Sequence, residues 1–217
     1  MTPRKLAYFA NDQLRPISSK SGEVLYSGVE TLRAGRVYLL GHNPGGNPRD
    51  RGLPTVQQSI DDLPKKRQNS YLDTTWLGRD TLQVRVIWLL AALGLHPSHV
   101  AASNLSFVRT RDAVASRMHE NAETCWPVHE AILEIVKPRV ILAYGNSAQS
   151  PYSFLLKKFS ARDEHTCLSG HGVWKCRAFH VPGRFHVVGL PHLSRYDITA
   201  HPQVVRWIMR ICSGLKS

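Results

Sequence analysis

Residues 37–48 read VYLLGHNPGGNP, and the fold turns on this stretch. Val37, Tyr38, Leu39 and Leu40 form a short apolar run that stops at Gly41. His42 and Asn43 follow, then a turn of Pro44, Gly45 and Gly46. A continuous apolar run of this length fits a strand buried on both faces of a parallel sheet, and the polar, glycine-rich segment fits the loop at its carboxyl end. In open α/β sheets that edge is where ligands bind.

The flanking chain repeats the pattern. Residues 80–93 place Leu82, Val86, Leu89, Leu90 and Leu93 at helical spacing before Gly94. Residues 100–103 (VAAS) read as a second strand delivering Asn104. A helix is expected over 120–136 with Cys125, His129, Ile132, Leu133 and Val136 on one face, and His129 reads as a core histidine. A third strand over 140–144 ends at Gly145-Asn146-Ser147, and a helix over 148–159 follows. A hairpin is expected with arms at 173–176 and 178–181. A fourth strand over 186–190 runs into Pro191-His192-Leu193-Ser194-Arg195-Tyr196, and a last helix starts near Pro202. The order predicts an α/β fold of three layers, α/β/α, around a central four-stranded parallel sheet, as a single domain over 1–217. All four polar strand ends then fall on one edge.

Residues 47–79 form a long polar insertion rich in Pro and Gly, with helix possible over 56–63. The insertion carries Lys65-Lys66-Arg67 and the aromatics Tyr71 and Trp76. It reads either as a nucleic-acid-facing lid or as a solvated excursion anchored by its aromatics. Residues 1–34 are less informative: 24–26 suggest a short strand and 29–32 a helical turn.

Composition narrows the function classes. The 217 residues carry 28 Lys plus Arg against 16 Asp plus Glu, a net charge of +12, spread along the chain rather than gathered in a tail. Such a surface attracts polyanions, nucleic acid foremost. No apolar run approaches a membrane span and the first residues lack a secretory apolar core, so a cytoplasmic protein without a membrane partner is expected. Cys125, Cys167, Cys176 and Cys212 form no CxxC pair, which argues against structural zinc or a disulfide framework.

These segments together resemble the uracil-DNA glycosylase superfamily over roughly residues 36–212. GHNPGG resembles its first motif, in the version with Asn where the strict uracil enzymes carry Asp. VAASNLSFVRTRD is similar to the segment whose Asn reads the base, VKPRVILAYGNSAQS to the Pro-strand-Gly segment, and VVGLPHLSRY to the second motif. Two features depart from the pattern: Leu193 stands where Pro usually follows the motif histidine, and the 47–79 loop is longer than usual. Only Cys125 falls near a cluster-ligand position, so no iron–sulfur cluster, metal or other cofactor is expected.

The resemblance implies a monomeric, monofunctional DNA glycosylase. Asn43 would position the attacking water, and because an amide cannot accept a full proton, departure of the base would lead the reaction. His192 would donate to O2 of the leaving pyrimidine, and Asn104 would pair with the base edge. Gly41 and His42 would line the base pocket, and Trp76 or Tyr71 would stack on the flipped base. Arg195 or Tyr196 is the candidate wedge. Arg109, Arg111, Ser147, Ser194 and the Lys65-Lys66-Arg67 run are candidate DNA contacts.

Gly45 stands where the strict enzymes carry an aromatic that blocks a C5 substituent. An open C5 side predicts tolerance of 5-substituted pyrimidines, from thymine or 5-hydroxymethyluracil to hypermodified phage bases, unless the long loop fills the gap. Two rival readings are a non-catalytic DNA-binding relative and a metal-dependent phosphoesterase using His192, Asp197 and His201. The second lacks convincing ligand spacing.

Overall fold

A computed structural model describes residues 1–75, 78–110 and 115–213. The core is a six-stranded sheet in the order β2-β1-β3-β6-β5-β4. β1 (Val37–Gly41), β2 (Ala101–Asn104), β3 (Val140–Tyr144) and β6 (Phe185–Leu190) are mutually parallel, while β4 (His165–Leu168) and β5 (Lys175–Val181) extend the β6 side in antiparallel fashion. The four expected parallel strands are present, and the sheet is larger by two.

The extra strands correct the expected hairpin. Its two proposed arms are largely one strand, β5, whose partners are β6 and β4. β4 reads His-Thr-Cys-Leu and is mostly exposed, so it carries no apolar signature. An edge strand needs none, because only one side is paired and its faces can meet solvent.

Helices cover both faces of the sheet. Side chains alternate along β1: Tyr38 and Leu40 join one apolar cluster, Val37 and Leu39 the other. The first cluster takes in α1 (Pro3–Gln13), α2 (Val56–Asp62), α4 (Ala115–Val136) and α5 (Pro151–Lys158); the second takes in α3 (Thr81–Ala92) and α6 (Pro202–Ser213). Local chemistry sets the helix ends. Asp80 caps α3 by accepting from Gln83 N at 2.8 Å, and Gly94 leaves it with φ +68°. Thr55 and Gln58 form a reciprocal capping box on α2.

The N-terminal helix α1 lies where the sequence offered no element. Thr2 caps it, Pro3 sits in its first turn, and it buries Leu6 and Ala10 as it packs along α4. Only two of its residues are buried, too few to write a strong period into the sequence. Helix α4 begins at Ala115 rather than 120. Residues 24–26 are not a strand. They run beside β2 through single bonds, Tyr26 N to Ala102 O at 2.8 Å and Ser103 Oγ to Val24 O at 2.6 Å.

Candidate functional site

Parallel pairing brings the four polar strand ends to one edge. Gly41 is in register with Asn104, and Tyr144 with Leu190, two residues before His192. The β1–β2 alignment continues past the strands, with Leu105 N donating to Gly41 O at 2.8 Å and Ser106 N to His42 O at 3.0 Å. His42 and Asn43 are therefore held beside the segment that leaves β2.

Gly41 is required by its surroundings. A Cβ there would run into Asn104 Oδ1 and come within 2.8 Å of the Tyr144 hydroxyl. The missing side chain lets Asn104 and Tyr144 meet over the β1 end. Asn104 is 4% exposed, and its buried Nδ2 has no hydrogen-bond partner among the described residues. An unsatisfied buried donor costs about 1–3 kcal/mol, and the stability of the rest of the fold must offset it.

Asn43 is half-buried and its amide orientation is fixed. Nδ2 donates to Pro44 O at 3.0 Å, Thr110 O at 3.0 Å and Thr110 Oγ1 at 3.1 Å. Two of these acceptors are carbonyls, so the nitrogen must face them and Oδ1 faces the other way. Asn43 thus offers an acceptor on a rigid mount.

His192 begins the turn after β6. Its Nδ1 accepts the Ser194 backbone N–H at 3.3 Å and lies 2.7 Å from Ser194 Oγ. A backbone N–H can only donate, so Nδ1 is the unprotonated nitrogen and Nε2 carries the proton. Burial, then the nearby Arg195 charge, holds the imidazole pKa below its ordinary value, which keeps the ring neutral. The Tyr144 ring stands edge-on to it at 6.0 Å. Tyr144 therefore connects the Gly41–Asn104 pair to His192. The sequence reading missed this residue; its one signal was an aromatic directly before the glycine that ends β3.

His129 is the core histidine expected. It is fully buried in α4, with Nδ1 3.0 Å from Tyr38 Oη and Nε2 3.1 Å from Leu105 O. Since Leu105 O can only accept, Nε2 donates and Nδ1 accepts from the tyrosine. Burial pushes the pKa down to about 4.

The 47–79 insertion is tied to the body. Asn69 Nδ2 donates to Pro97 O at 3.1 Å, and Ser70 N to Tyr26 O at 2.9 Å. Tyr71 is buried, bonded to the Tyr144 hydroxyl and 5.8 Å from the Tyr26 ring. Its hydroxyl anchors the loop, while part of the residue borders the adjoining cleft. The insertion and Gly45-Gly46 border this open cleft of about 860 Å³, walled in part by Tyr26, Tyr71 and Gln83. Asn43, Asn104 and His192 do not line it; Gly45 and Tyr71 link it to them. A Cβ on Gly45 would meet nothing within 4 Å.

Several expected DNA contacts are engaged elsewhere. Arg109 is 7% exposed; it donates to Gly45 O and, through Nε, to Ser21 Oγ at 3.3 Å, so it clamps the turn at Gly45. Lys66 is half-buried in an ion pair with Glu23. Tyr196 is fully buried, donates to Ser169 O at 2.6 Å and stacks on His201, so it cannot be a wedge. Ser194 is exposed, but its hydroxyl is engaged with His192. Ser147, Arg195, Lys65 and Arg67 are exposed, with Lys65 3.1 Å from Asp62. Trp76 and Arg111 lie outside the described residues.

No family model matches the chain, and no curated protein matches it significantly. Among the described residues, no helix is long and apolar enough to cross a membrane, and no group of three or more His, Cys, Asp or Glu could hold a metal ion.

Proposed function

We propose that the protein is a monofunctional DNA glycosylase of the uracil-DNA glycosylase type, which hydrolyses the N-glycosidic bond of a flipped-out pyrimidine and leaves an abasic site. The observation that carries this reading is the buried Asn104 amide, whose Nδ2 lacks a partner among the described residues, on the edge that also holds the His192 Nε2–H. A pyrimidine edge is a planar partner for such an amide, and its O2 suits a neutral donor. Extra support comes from the layered α/β arrangement and the net charge of +12.

The chemistry follows from the groups present. As the C1′–N1 bond breaks, positive charge develops on the sugar and negative charge on the base. His192 Nε2–H stabilises the charge gathering on O2 without giving up its proton. Asn43 Oδ1 accepts a hydrogen bond from the water that adds to C1′. The departing base takes up a proton from solvent, and the sugar keeps the hydroxyl. No cofactor is called for. The protein acts as a monomer in the cytoplasm on this reading.

The open space at Gly45 and the adjoining cleft favour a base with a C5 substituent over uracil alone. Mass spectrometry of bases released from natural and phage DNAs tests the proposal. A free pyrimidine, lost in His192→Ala, is the expected result. DNA binding without release of any base would mark the protein as a non-catalytic relative.

A further inference from the structure

Flipping a nucleotide out of a duplex leaves a gap in the stack, and proteins that hold such gaps open insert an apolar side chain. The turn after β6 cannot supply one. Leu193 and Tyr196 are both fully buried, and the exposed Arg195 is charged.

The β4–β5 hairpin offers what that turn lacks. β5 runs antiparallel to β6, with Arg177 opposite Gly189, so residues 169–174 project past the carboxyl edge of the parallel strands. This is the edge that holds His192. Two bonds secure the tip to the site: Tyr196 Oη to Ser169 O at 2.6 Å, and Asn146 Nδ2 to Lys175 O at 2.6 Å. The tip is itself ordered, with Trp174 N donating to His171 O at 3.1 Å and Ser169 N to Trp174 O at 2.8 Å. Gly172, at φ +53°, makes the sharp turn that a β-branched or bulky residue would resist.

At the apex of this frame stand Val173, 86% exposed, and Trp174, 40% exposed with the His171 ring 4.5 Å away. Exposed apolar groups on an ordered projection mark an interaction site. The exposed Lys175 beside them, and Arg195 on the neighbouring turn, suit a polyanionic partner.

We propose that Val173 and Trp174 are the wedge that enters the base stack of duplex DNA beside the flipped nucleotide. This rests on the glycosylase reading. Both side chains lie outside the core, so a double variant, Val173→Ser with Trp174→Ala, keeps the fold; an unchanged melting temperature checks this.

The test compares single-turnover base release from one modified strand, alone and in duplex. In the double variant the duplex-to-single-strand rate ratio falls about tenfold or more, the scale set by unstacking a base pair. An unchanged ratio overturns the wedge, as does equal loss on both substrates or a wild type that acts on single strands only. A 2-aminopurine next to the target gives a readout independent of bond cleavage: it brightens on binding wild type and stays dark with the variant. Equal brightening refutes the wedge, whereas brightening without base release counts against the glycosylase reading alone.

Discussion

The backbone N–H of Ser194 points at Nδ1 of His192 from 3.3 Å, and that contact decides which imidazole nitrogen carries the proton. The donor is a main-chain group two residues along the same turn, so the tautomer is written into the turn itself. Protonating the ring would set two N–H groups against each other. His192 is therefore built to work neutral.

This makes the acid limb of the pH–rate profile informative. Burial and the Arg195 charge both lower the His192 pKa, so the midpoint of the fall in single-turnover activity lies below the ordinary imidazole value of 6.5. In Arg195→Ala the pKa rises toward its ordinary value, and the fall begins at higher pH. Superimposable profiles would show that the two residues are not coupled. His192→Ala loses the donor outright, with a loss of about a hundred- to a thousandfold in rate.

Gly45 gives a second test. Its would-be Cβ faces open space and its φ lies outside the left-handed region, so a side chain can be added without backbone strain. Gly45→Tyr therefore folds and narrows the C5 side. Competition between uracil and a bulky 5-substituted pyrimidine in one duplex pool measures the outcome: release of the bulky base drops about a hundredfold and that of uracil stays within about threefold. Parallel losses on both bases would mean that Gly45 does not face the C5 position.

Gly41 gives a third. Gly41→Ala drives a methyl against Asn104 Oδ1 and the Tyr144 ring, both buried. Overpacking of this kind costs about 1–3 kcal/mol and displaces the amide. Base release falls more steeply than urea denaturation alone accounts for. Wild-type activity in a variant of lowered stability would remove Asn104 from the site.

His129 predicts a pH-dependent stability unrelated to catalysis. The folded state holds the ring neutral with a pKa of about 4, while the unfolded chain takes up a proton near the ordinary value of 6.5. The unfolded state binds more protons between those values, so this stabilisation is complete above pH 6.5 and is lost as pH falls toward 4, about 3 kcal/mol in all. Urea melts of wild type and His129→Gln across pH 7.5 to 4 isolate the contribution by difference, since other groups titrate in both proteins. Equal slopes would refute it.

The sequence was most legible where burial acts on consecutive residues. Val37 to Leu40, and 140–144, are covered from both sides, so each run carries its own signature, and the polar residue ending each strand marks the edge. It was least legible where function depends on exposure. Arg109, Lys66 and Tyr196 have the right chemistry for DNA and the wrong location, because a charge or hydroxyl bonded inside the fold looks the same in sequence as one in solvent. Val173 and Trp174 were misread for the converse reason: two apolar residues before a strand pass for part of it. Tyr144 was hidden by its own strand, in which a buried aromatic is unremarkable until its edge is found beside His192.

One imidazole, His129, grips Tyr38 within β1 and Leu105 just beyond β2. The walls that carry Asn43 and Asn104 are thereby riveted to a single helix, α4. The hairpin tip and the turn that bears His192 are fastened to each other in the same manner, through Tyr196 and Ser169. On the glycosylase reading, the side chains proposed to part the stack and the histidine proposed to help the base depart are therefore held as one piece.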